Sequence, residues 1–190
     1  MSQWPQTYNY GAQLFHWASA VLVIGMIPLG FLMQQVEGAA KLPLYRAHAL
    51  AGSLLLLLTV ARIAWVLTHD SPEPLPVSRL HYLGMKGIHI LLYAVLLIMA
   101  ASGLAMMALS NLPDVLKGVA TTFPDLSKLA ARKLHGAGAR MYIALLATHV
   151  AGVIRYQFAE GDIFSRMGIT LFGGRVYRKD KESRGATTPV

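Results

Sequence analysis

Apolar positions gather into four long blocks separated by polar intervals rich in proline, glycine or charge. The first runs from Leu14 to Met33 and contains no charged residue. The second, Ala47 to Thr68, is interrupted by Arg62. Gly87 to Ser110 forms the third, and Gly136 to Phe158 the fourth, with Arg140 and Arg155 inside it. Each reaches the roughly 20 residues that an α-helix needs to cross a bilayer. The pattern therefore predicts an all-α protein, an integral membrane four-helix bundle, and leaves too little chain for a separate soluble domain. The expected division is a short N-terminal segment over residues 1–13, the transmembrane domain over 14–158, and a tail over 159–190 whose last stretch, KDKESRGATTPV, reads as disordered. Pro28 is expected to kink the first helix, which a bundle tolerates by satisfying the freed carbonyl from its neighbours. No Lys or Arg precedes the first block, and the block is longer than the apolar region of a signal peptide, so it is expected to be retained.

The connections add detail. SPEPLPVSR, from Ser71 to Arg79, is proline-rich and should be extended. The interval from Asn111 to Lys133 is long enough to cap one end of the bundle, with a short amphipathic helix. Basic residues fix the expected orientation. Nine (Arg79, Lys86, Arg155, Arg166, Arg175, Arg178, Lys179, Lys181 and Arg184) fall on the side of the termini and six (Lys41, Arg46, Lys117, Lys128, Arg132 and Lys133) on the other. Positive charge accumulates on the cytoplasmic side, so the count predicts a multi-pass membrane protein with both termini cytoplasmic.

Composition agrees with lipid as the solvent. Hydrophobic residues make up 55% of the 190-residue chain and charged residues 14%, with mean hydropathy +0.47, where soluble domains carry nearer ~25% charge. The net charge of +8 is explained by topology; no nucleic acid partner is expected, because no aromatic-interleaved basic face accompanies it. Cysteine is absent. That removes disulfides, thiolate zinc sites and Cys-ligated iron–sulfur clusters, leaving histidine and methionine as soft ligands.

Four histidines, His16, His48, His135 and His149, stand inside or at the mouth of these blocks. An ionisable group there is costly and is read by default as a functional site. His135 and His149 are 14 residues apart, which places them on one helix face about 21 Å from each other. With the N-terminus inside, His48 and His135 share the outer depth, and His16 and His149 the inner one. Two facing imidazoles are the axial pair that clamps a haem iron. A bare zinc wants four ligands, and no carboxylate lies at these depths. Small residues stand near each ligand, namely Ala20, Gly52, Ala139 and Gly152, giving a flat group clearance. Against this, a single histidine at a helix mouth is commonly interfacial, and small residues commonly serve helix packing; four that pair by depth favour ligation.

Other residues carry weaker signals. Arg62 lies 14 residues after His48, at the inner depth, where it would meet a haem propionate or snorkel to headgroups. His89, early in the third block, suits a hydrogen bond to a quinone carbonyl or a propionate, replaces His16 opposite His149, or simply faces headgroups. His69 and His81 read as surface residues of the inner loop. Arg140 is about 140° round the helix from the His135 face and has no evident partner. Met106 and Met107 are read as packing, like the other methionines.

These motifs resemble the bacterial cytochrome b561 family, dihaem four-helix membrane proteins related to the cytochrome b subunits of nickel–iron hydrogenases. The likeness rests on FHW at Phe15 to Trp17, RAHALAG around His48, ARIAW with Arg62, HILLY from His89 to Tyr93, and LHGAGARMYIALLATHVAGVIRYQFAEGDIFSRM with His135, His149, Asp162, Arg166 and Met167. The resemblance implies that His16, His48, His135 and His149 hold two haem b groups. It departs at Arg155 and Tyr156, where the family often has adjacent histidines.

Six-coordinate iron implies outer-sphere electron transfer. The expected function is electron passage between an outer donor and the quinone pool. In one version the chain is itself an oxidoreductase of the superoxide:ubiquinone type, as some relatives are, with the outer basic residues attracting the anion. In another it anchors and serves a separate dehydrogenase or periplasmic cytochrome. A haem-free transporter or scaffold with histidines in a proton path is the third.

Overall fold

A computed structural model describes residues 7–169. Among them the chain forms α1 (Tyr10–Gln35), α2 (Lys41–Thr68), α3 (Arg79–Ala108), a short α4 (Leu112–Lys117) and α5 (Ala130–Ala159), with no strand. The four long helices are apolar and long enough to cross a membrane.

Each outruns the apolar block that announced it, because beyond the hydrocarbon edge caps and propensity decide where a helix stops. Asn9 caps α1, its side chain accepting from the Ala12 N–H at 2.9 Å. Ser78 caps α3 by accepting from the His81 N–H at 3.3 Å. The third helix therefore begins at Arg79 rather than Gly87, and His81 lies half-buried in its first turn, a correction to its reading as a loop residue. α2 accommodates Pro43 in its first turn, where a missing N–H breaks no hydrogen bond. The expected cap helix between the third and fourth spans is α4; Gly118 ends it at φ +82°, a left-handed conformation suited to glycine.

α1 packs mainly on α2, and α3 on α5; the two pairs meet along a looser seam. The α3–α5 crossing is tight at Gly138, where a Cβ would stand 2.8 Å from Met99 Cγ. Large apolar side chains face outward, Leu57 and Phe158 being 67% and 78% exposed, as a lipid-facing surface requires. Buried hydroxyls return to their own helix: Ser19 donates to Phe15 O and Thr59 to Leu55 O, each at 2.7 Å. Lipid offers no alternative partner.

Past α5 the chain folds back onto the end of the bundle where α1 begins. Trp17 Nε1 donates to Met167 O at 2.8 Å, the Tyr8 N–H to Arg166 O at 2.9 Å, and buried Arg166 donates through Nη2 to Glu73 O at 2.6 Å. One guanidinium thus ties this segment to the extended α2–α3 linker. The KDKESRGATTPV stretch, with Arg175, Arg178, Lys179, Lys181 and Arg184, lies outside the described residues.

Candidate functional site

All four singled-out histidines project into the space between the helices, two at each end. At the α4 end, His48 of α2 faces His135 of α5 with ring centres 6.0 Å apart and planes inclined at 65°. His135 Nδ1 lies 2.9 Å from Met99 O and 3.0 Å from Ser102 Oγ. A carbonyl can only accept, so the proton sits on Nδ1 and the Nε2 lone pair is free. That is how a metal-ligating histidine is held by its surroundings. Across from it, His48 Nδ1 is buried with no hydrogen-bond partner, an orphan that costs about 1–3 kcal/mol if nothing else uses the ring. Both rings lie over bare backbone of neighbouring helices. A Cβ on Gly30 would stand 3.6 Å from His48 Cε1, and one on Gly103 3.8 Å from His135 Cε1.

At the opposite end, His16 of α1 and His149 of α5 have ring centres 6.4 Å apart at 62°. His16 is held differently. Arg62 Nη2 lies 2.8 Å from its Nδ1; a guanidinium can only donate, so Nδ1 accepts and the neutral ring carries its proton on Nε2. Arg62 also lies over the Tyr93 ring, 5.3 Å from its centre. His89 Nδ1 donates to Met85 O at 2.7 Å, and its ring centre is 5.0 Å from that of His149.

The donor sets fit one kind of group. Among the described residues no cluster of three or more His, Asp or Glu could hold a metal ion; what exists is two facing pairs. Metal–imidazole bonds of about 2 Å on each side of one metal put the ring centres about 6 Å apart. The 6.0 and 6.4 Å separations match this, and the 5.0 Å between His89 and His149 is shorter. A haem brings its own four nitrogens to the iron, so each facing pair would be enough to hold one.

The structure brings together the residues singled out from the sequence as His48 with His135 and His16 with His149, with Arg62 and His89 beside the second pair. The sequence left Arg62 between a propionate and the headgroups, whereas here the guanidinium touches His16 itself. Sequence reasoning missed the Met99 carbonyl and Ser102, and named Gly52 and Gly152 as the clearance where Gly30 and Gly103 flank the rings. Gly52 faces Met26 at 3.5 Å, and Gly152 meets nothing within 4 Å.

Residues 7–168 match the family described as prokaryotic cytochrome b561. Over 168 residues the chain is 29% identical to "Cytochrome b561 homolog 2" of Escherichia coli (strain K12), covering 83% of this chain and 88% of that protein. No solved structure matches. With a match over almost all the described residues, the chain belongs to the prokaryotic cytochrome b561 family and is a bacterial membrane protein of haem b electron transfer.

Proposed function

We propose that the chain holds two haem b groups, the outer between His48 and His135 and the inner between His16 and His149, and carries electrons from a donor at the α4 face to a membrane quinone. The observation that carries this is the hydrogen bond fixing His135: with Nδ1–H committed to Met99 O, Nε2 keeps its lone pair, and the His48 ring centre stands 6.0 Å away. When bound, the haems would supply one-electron redox chemistry at two depths of the membrane. In this reading the α4 end faces outward and both termini lie in the cytoplasm of a bacterial inner membrane.

The chain's own residues do the rest. Met99, Ser102, Gly30 and Gly103 orient the outer ligands and leave room for a flat group. Inside, the Arg62 contact holds His16 with its proton on Nε2, so ligation there requires the guanidinium to move; a haem propionate would give it a new partner and let His16 turn its lone pair to the metal. His89, 5.0 Å from His149 and exposed beyond it, suits a donor to a quinone carbonyl at the inner end. At the α4 face Arg46 is held to Leu116 O at 2.7 Å, Arg132 to Gln34 Oε1 at 2.8 Å and Lys128 to Asp125 at 3.7 Å. Hydrogen bonds from Ser127 hold the Asp125 carboxyl below its usual range. Of the six outer cations only Lys128 is paired with a carboxylate among the described residues, so Lys41, Arg46, Lys117, Arg132 and Lys133 keep a positive field to attract an anion. Superoxide fits the donor role. Two superoxide ions would each give up one electron and leave as dioxygen, and the two electrons with two protons would convert quinone to quinol.

The test is purified protein in liposomes containing ubiquinone, exposed to a steady superoxide source. Quinol should accumulate at a rate that falls as salt rises; haem that stays oxidised under superoxide rules out that donor. A second expectation concerns Arg62. Removing its positive charge with Arg62→Gln should lower the inner haem's midpoint potential by roughly 50 mV, for one charge at an effective dielectric near 20, and leave the outer potential unchanged. Redox titration reads both.

A further inference from the structure

We propose that Arg132 and Arg140, converging over Gly136 on α5, hold the phosphodiester of an anionic phospholipid headgroup. Arg132, Gly136 and Arg140 follow one another at four-residue spacing and so form a single stripe along the helix. Both guanidinium groups fold toward the glycine between them. Arg132 Nη1 and Arg140 Nη1 lie 3.0 and 3.8 Å from the point a Gly136 Cβ would occupy. An open pocket lined by Ser127, Arg132, Lys133, Gly136 and Arg140 surrounds that point. Two like charges drawn over one bare stretch of backbone need an anion between them.

The protein does not provide it. Among the described residues the one ion pair is Lys128 with Asp125. Asp125 also takes both the N–H and the hydroxyl of Ser127, at 3.1 and 2.6 Å, so that carboxylate is engaged elsewhere. Arg132 donates to Gln34 Oε1 at 2.8 Å, a neutral acceptor that anchors the side chain without cancelling its charge.

Position selects the ligand class. Arg140 is exposed and lies ten residues into α5, about 15 Å along the helix, and it reaches back one turn toward the α4 end, the snorkelling direction for a buried cation. It is about 140° round the helix from His135, away from the space between the facing imidazoles. What meets this surface in a bilayer is the headgroup layer, and a guanidinium pair matches phosphate oxygens in a bidentate manner. Three cations without a counter-charge favour a lipid of net negative charge over a zwitterionic one.

The experiment is native mass spectrometry of the haem-loaded protein from detergent carrying phosphatidylglycerol or phosphatidylcholine, for the wild type, Arg140→Gln, Arg132→Gln/Arg140→Gln and the control Lys117→Gln. The expected result is one phosphatidylglycerol retained per chain under conditions that strip phosphatidylcholine. Retention should fall roughly tenfold or more in the double variant, fall partly in Arg140→Gln, and hold in Lys117→Gln, with haem content and spectrum unchanged in the two single variants. Arg140 is exposed, so its single variant keeps the test decisive if the double variant does not fold. Equal retention of phosphatidylglycerol in wild type and Arg140→Gln overturns the proposal. So does displacement of the lipid by millimolar inorganic phosphate, which marks a free-anion site, or a changed haem spectrum in Arg140→Gln, which assigns the guanidinium to a propionate.

Discussion

His135→Ala is expected to yield a folded protein that has lost one of two haems. The imidazole is the point where three features meet: the facing His48 ring at 6.0 Å, the Met99 carbonyl that sets its tautomer, and the bare backbone of Gly103 beside it. Removing it takes away one axial ligand and leaves His48, whose Nδ1 already has no hydrogen-bond partner, facing an empty space. A single imidazole retains haem weakly, so haem per chain should fall by half. The spectrum that remains should be that of the inner haem alone. The four long helices should survive, because the α3–α5 crossing rests on packing around Gly138, and helical content by circular dichroism should be near that of the wild type. Full haem content in His135→Ala contradicts the assignment.

Gly138→Leu is expected to damage both fold and site. A Cβ at Gly138 would meet Met99 Cγ at 2.8 Å and Sδ at 3.6 Å, with Val95 Cγ1 4.0 Å away. The branched side chain beyond that Cβ has nowhere to go unless α3 and α5 separate. Small residues at such crossings let membrane helices approach, and overpacking typically costs about 1–3 kcal/mol. Separation would also pull Met99 O from His135, so the outer haem should be lost along with thermal stability while the inner haem persists. Gly138→Ala should show the same direction with a smaller loss, since Met99 is flexible enough to yield partly. Thermal unfolding monitored by haem absorbance, with haem content at each temperature, separates the two effects.

The number of spans and the positions of the four histidines were legible because lipid constrains a chain severely. It demands long apolar runs and makes an imidazole within them conspicuous. The 14-residue step from His135 to His149 carries depth directly, since helix rise is constant. The helix ends were less legible. Arg79 to Lys86 and Ala130 to His135 lie where water competes, and the Ser78 cap, not hydropathy, starts α3. The groups that orient the four histidines were least legible. Met99 acts through its carbonyl, which every residue possesses, and Gly30 and Gly103 matter only because neighbouring helices place them against His48 and His135. Arg132 and Arg140 stand in register in the sequence, but their folding toward Gly136 depends on side-chain direction, which spacing does not encode.

The pairing of histidines is tested most directly by haem content in double variants. His48→Ala/His135→Ala and His16→Ala/His149→Ala each remove both ligands of one haem and should keep one haem per chain, of different spectrum in the two cases. His48→Ala/His149→Ala and His16→Ala/His135→Ala each remove one ligand from both and should keep none. A cross-pair variant that retains a full haem, or a within-pair variant that retains none, contradicts the two-haem arrangement.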